Sequence, residues 1–159
     1  MEGNWSMYVE SVIHQLKISV SSVIQIIDGL SNDDLNFRPI VNKKSIGELV
    51  KHLCELIEAD LLISNGATKE EMERYYESVK CLTIDDMKSI LLKGMDHLVE
   101  KYNLFNEADL KETVSSYWGV EYTRFEWILE ILVHFTHHRA QLQTLVVLKN
   151  GDVQVSLFE

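Results

Sequence analysis

Between Trp5 and Gly29 the apolar residues Val9, Val12, Ile13, Leu16, Val20, Val23, Ile24 and Ile27 recur every three or four positions, the period of a helix with one face on a core. The pattern breaks from Leu30 to Lys44, where Ser31-Asn32-Asp33-Asp34 and Pro39 interrupt it. Ser45-Ile46-Gly47-Glu48 then forms a capping box, and a second helix is expected from Ile46 to Ser64. After Asn65-Gly66, Thr68 and Glu71 pair as another cap, predicting a short polar helix with a thin apolar side of Met72, Tyr75 and Tyr76. Thr83, with Asp85 and Asp86, opens a third long helix whose apolar positions Met87, Ile90, Leu91, Met95, Leu98 and Val99 run on to about Phe105, weakened slightly by Gly94. Residues 106–122 read as irregular, with Val114 to Val120 as a small extended turn. The last helix is expected from Thr123, capped with Glu126, to Lys149 or Asn150, and stops at Gly151. Asp152 to Glu159 receive no assignment.

Four long helices with connections of up to about seventeen residues predict an all-α fold, a four-helix bundle with long crossover connections in a single domain over 1–159. Its 159 residues, 46% apolar and 25% charged, suffice for one core. Seven Gly, one Pro and two Cys are too few for a many-stranded β fold or a disulfide scaffold. A formal charge of -10 repels a phosphate backbone, so nucleic acid is not an expected partner. No apolar run approaches the roughly 20 residues that span a bilayer. Met1 to Val9 carry Glu2 and no basic residue, unlike a signal peptide, and reduced cysteines in the cytoplasm are expected.

Candidate chemistry lies in the last helix, where Trp127, Ile131, His134, His138, Gln141, Leu145 and Leu148 step by fours and threes like a seam facing a bundle core. Two imidazoles and an amide in such a seam need partners, since burying an unpaired polar group costs on the order of 1 to 3 kcal/mol. His134 and His138, one turn apart, can reach one metal ion, although a satisfied pair of core histidines has the same spacing. In the second helix Leu49, His52, Leu56, Ala59 and Ile63 also step by threes and fours, so His52 can supply a third imidazole. Cys54 points about 200° away from His52, and Cys81 lies outside the predicted seam. His14 and His97 read as surface residues, the latter favoured by a helix end, and His137 as a residue supporting the site. With no Glu-x-x-His, H-E-x-x-H, P-loop or dinucleotide glycine fingerprint, what remains is a mononuclear all-histidine site, or three buried histidines without an ion.

His134-Phe-Thr-His-His138-Arg139-Ala140-Gln141 resembles the H-x-x-x-H-R-G-Q signature of the DinB/YfiT-like metal proteins. Leu35-Asn-Phe-Arg-Pro39 and Ser45-Ile-Gly-Glu-Leu-Val-Lys-His52 resemble that family's loop and second helix. Ala140 replaces the usual Gly, and Lys44 stands where an aromatic residue often precedes the Ser. The resemblance implies one divalent ion, zinc or nickel, on His52, His134 and His138. It also implies that Arg139 pairs with a carboxylate across helices or at a dimer interface. Gln141 is expected to hydrogen-bond a ligand histidine or a water, or to be a plain structural amide.

Three protein ligands leave a coordination position open, as in catalytic sites. Relatives of this kind include S-transferases and isomerases using low-molecular-weight thiols, and metal-dependent hydrolases. Thiol transfer is preferred because no carboxylate stands securely in the seam as a base, although Glu48, Glu55 and Glu130 lie close enough in sequence angle for a role beside the ion. The alternatives are hydrolysis and a non-catalytic metal-binding interaction protein. A homodimer through helix faces is expected, with Met7 and Ile18 off the main stripe of the first helix.

Overall fold

The computed structural model describes residues 5–159. Helix α1 spans Trp5–Asp28, a 3-10 turn follows at Asp34–Asn36, and α2 spans Ile46–Ser64. Short α3 (Lys69–Ser78) precedes α4 (Ile84–Asn103), and short α5 (Glu107–Lys111) precedes an antiparallel pair, β1 (Thr113–Ser115) with β2 (Glu121–Thr123). Helix α6 closes the fold at Arg124–Asn150.

The predicted starts coincide with caps: Ser45, Thr68 and Thr83 each form the reciprocal box with Glu48, Glu71 and Asp86. Thr123 accepts from the Glu126 amide, and Gly151, at φ 83°, follows the last turn of α6. Residues 106–122 are more ordered than the sequence pattern suggests. Asn106 caps α5, and Thr113↔Thr123 to Ser115↔Glu121 close a hairpin over the expected turn. These elements are too short for periodicity to register.

Helix α2 packs on α4 and α6, and α1 packs on the same two helices, so α1 and α2 stand diagonally across the bundle. Lys88 at the start of α4 bonds Asp28 at the end of α1 at 2.5 Å. At the other end, Arg124 at the start of α6 donates to Asn65 after α2 at 3.1 Å, and Tyr102 near the end of α4 donates to the Arg124 carbonyl at 2.8 Å. The four long helices therefore run up, down, down and up, and the α2-to-α4 connection is a crossover that carries α3. Leu16, Val23, Ile27, Leu53, Ile57, Leu91, Leu98, Ile128 and Phe135 fill the core. Gly94 is buried where a Cβ would stand 3.2 Å from the Glu58 amide nitrogen, which lets α2 and α4 approach closely.

The buried face of α6 differs from the expected seam. Ile128, Ile131, Phe135, Arg139, Leu142 and Val146 face the core, whereas His134 and His138 are half-buried at its edge, Gln141 is exposed and Leu148 is 64% exposed. Apolar residues surround α6 on all sides, so their spacing does not select one face. The residues after Gly151 fold back over α1 and α6, with Val153 and Val155 packed on the core and the Ser156 amide donating to Gln25 at 3.2 Å.

Candidate metal centre

Antiparallel α2 and α6 bring three imidazoles together. One nitrogen each from His52, His134 and His138 lies within 4.8 Å of the others. His52 and His138 have ring centroids 4.5 Å apart and nearly perpendicular, while His52 and His134 are 5.7 Å apart. Nε2 of His134 and Nε2 of His138 are separated by 3.1 Å, close to the spacing of about 3.3 Å that two nitrogens take on a tetrahedral ion at 2.0–2.1 Å.

The opposite ring nitrogens decide what those Nε2 atoms are. His134 Nδ1 is 2.7 Å from Asp60 Oδ2, and His138 Nδ1 is 2.8 Å from Gln141 Oε1. Both partners accept, so both Nδ1 atoms carry a hydrogen, and when the two rings are neutral both Nε2 lone pairs are directed into the space between them. A divalent ion there would take both lone pairs, so the donor set fits one. Gln141 uses both ends of its amide, since its Nε2 lies 3.1 Å from His137 Nε2. His137 is thus linked to His138 through Gln141.

Burial and the neighbouring His138, His134 and Lys44 push the pKa of His52 down to about 4. Burial also lowers His138. The hydrogen bond to Asp60 raises His134 instead. Two of the three imidazoles are therefore held neutral, the form that binds metal.

The nearby carboxylates separate by role. Glu48 is occupied by Arg38 at 2.7 Å and by the Ser45 amide at 2.9 Å. Glu55 is buried with Oε1 3.2 Å from Lys51 Nζ, so neither acid turns to the histidines. Glu130 does, with Oε1 3.9 Å from His134 Nδ1, and burial followed by the charge of Asp60 raises its pKa. Asp60 is the residue that sequence reasoning missed. Its one available sign is an acid inside the run Ala59-Asp60-Leu61-Leu62-Ile63, two turns beyond His52.

Arg139 also departs from expectation. It is 8% exposed and among the described residues bonds no carboxylate; its Nη1 donates to Ser22 Oγ at 3.1 Å and to the Leu157 carbonyl at 2.7 Å, with the Phe158 ring 5.4 Å from its Cζ. His14 and His97 are exposed, His97 on Glu58 at 2.9 Å, and Cys54 and Cys81 are free thiols away from the trio.

A cavity of about 700 Å³ opens beside His138. The loop from Pro39 to Lys44 forms one wall, and α6 from His137 to Leu145 forms the other. No helix among the described residues is long and apolar enough to cross a membrane.

The DinB superfamily model matches residues 15–142. A DinB-family crystal structure from Exiguobacterium sibiricum is 30% identical, covers 95% of this chain and 97% of its own, and superposes with a TM-score of 0.84. DinB-like proteins from Bacillus subtilis and Bacillus cereus, each 15% identical, share the fold with TM-scores of 0.69 and 0.68, covering 94% and 92% of this chain and 99% and 96% of theirs. No functionally curated protein matches. Carrying that family's pattern from residue 15 to 142 and aligning with a 30% identical member over nearly its whole length, the chain belongs to the DinB superfamily.

Proposed function

We propose that His52, His134 and His138 hold one divalent ion, zinc or nickel, and that the protein is a metal-dependent thiol S-transferase acting on a small molecule. The observation that carries this reading is the orientation of the trio. Three imidazole nitrogens converge at the rim of the bundle with a cavity on one side, and such a three-ligand set leaves a position open. A bound ion supplies the Lewis acidity that keeps a thiol sulfur deprotonated near neutral pH. Asp60 and Gln141 hold the imidazoles in the tautomer that presents Nε2, and the cavity walls orient the second reactant.

The position of Asp60 favours thiol transfer over hydrolysis. It is tied to the Nδ1 side of His134, away from Nε2, so it does not serve as base for an attacking water. Glu130, half-buried with a raised pKa, is the acid that supports hydrolysis as the second reading. A homodimer is also part of the proposal, on the strength of Met7 and of Val133 and Leu148, which are exposed along α6; light scattering tests it.

The first test is elemental analysis of tag-free protein purified without chelator, beside His52→Ala and His138→Ala. About one zinc or nickel per chain, lost in both variants, is expected; no metal after reconstitution overturns the site. Loaded protein is then assayed with cysteine or coenzyme A and 1-chloro-2,4-dinitrobenzene, in which a carbon–sulfur bond forms, chloride leaves and the thiol proton passes to buffer. Turnover of 4-nitrophenyl acetate without thiol transfer supports hydrolysis instead, and neither activity leaves a metal-binding interaction protein.

A further inference from the structure

The cavity beside His138 has a chemical asymmetry that the metal reading does not use. Both walls carry apolar residues, Pro39 and Ile40 on the loop, Leu49 on α2 and Leu145 on α6, and the loop adds Lys43 and Lys44, while the lining has no acidic residue. In a chain with 25 acids against 15 bases this is a local exception. Among the described residues neither lysine makes an ion pair. The nearby carboxylates are turned away or tied: Glu48 to Arg38, and Asp60 to the far side of His134.

The lysine-bearing wall is also built rather than loose. Arg38 Nη1 donates to the Lys43 carbonyl while its Nη2 bonds Glu48, so one guanidinium ties the loop to the first turn of α2. The Lys43 amide donates to the Ile40 carbonyl at 3.0 Å, and the Ile46 amide to the Phe37 carbonyl at 3.0 Å. Two lysines without an ion-pair partner among the described residues, on a cavity whose lining holds no acid, favour an anion, and the apolar lining gains by covering hydrocarbon.

We propose that this cavity binds a small molecule with an apolar body and a terminal oxyanion, a carboxylate or a phosphate, the anion against Lys43 and Lys44 and the body along Ile40, Leu49 and Leu145. The assignment of that molecule as a substrate rests on the transferase reading; the anion preference itself does not.

Calorimetry and amide NMR on zinc-reconstituted protein at low salt test it with octanoate, octyl phosphate and the neutral octanamide. The expected result is binding of at least one anion with shifts at Leu49, Ala140 and Leu145, and affinity for octanamide about tenfold lower. The better anion of the two identifies carboxylate or phosphate as the source. In Lys43→Gln/Lys44→Gln, two exposed changes whose folding is checked by circular dichroism, the preference for the anion over the amide disappears. Equal binding of octanamide, an unchanged preference in the double variant, shifts elsewhere or no binding at all overturns the proposal. The same titration on metal-free His52→Ala separates the two readings. Preference retained there supports the lysines even if the wild type proves to hold no metal; preference lost there while the wild type is loaded places the anion on the ion and overturns the lysine assignment.

Discussion

Asp60 and His52 influence the site by different physical means, and each supports its own prediction. The Asp60 carboxylate accepts from His134 Nδ1 and keeps Nε2 free and basic. Asp60→Asn retains an acceptor but removes the charge, and is expected to weaken metal affinity about 10- to 100-fold while the helical content is unchanged; a competitive zinc titration reads it. His52 titrates near 4 in the fold against its ordinary 6.5. Between those values the unfolded chain binds more protons, so stability of the metal-free protein falls as pH drops through this window. His134, shifted upward, acts oppositely: its contribution is full below 6.5 and is lost as pH rises through its folded value. Metal-free His52→Ala is therefore expected to lose less melting temperature between pH 7 and pH 5 than metal-free wild type, and parallel losses would refute the assignment. At this scale the sequence made the three imidazoles legible, because His52 interrupts an apolar stripe and His134 and His138 are one turn apart. Asp60 was not legible, since its pairing depends on the offset between α2 and α6, which no local spacing contains.

Helix ends were readable wherever a side chain and a backbone amide satisfy each other within one turn, as at Ser45, Thr68 and Thr83. The rotation of α6 was not, because an evenly apolar helix owes its orientation to its neighbours. Arg139 shows the same dependence, being buried by Ser19 and Ser22 of α1 and by the segment after Gly151. Close approach between elements gives a sharper prediction at Gly47, in the first turn of α2. A Cβ there would lie 2.9 Å from the Leu35 carbonyl oxygen and 3.1 Å from the Leu35 Cβ. Gly47→Ala must displace the 3-10 turn or the helix start, and is expected to cost about 1–3 kcal/mol in urea denaturation; a loss within 0.5 kcal/mol shows that the turn yields freely.

Across the whole molecule, the last eight residues act as a strap over α1 and α6. Deleting residues 152–159 uncovers the apolar surface under Val153 and Val155 and removes the Leu157 carbonyl from Arg139. A loss of roughly 2–3 kcal/mol is expected by urea denaturation, and an unchanged midpoint would mean that the strap contributes nothing to stability. The antiparallel contact of α2 with α6 has a different importance. His52 meets His138 while Asp60, farther along α2, meets His134, so the two pairings read the axial position of one helix against the other at two points. Sliding α2 by even a fraction of its 5.4 Å pitch misaligns both at once. The site thus reads helix register at two points, and metal affinity would report a shear of this bundle that a melting curve averages away.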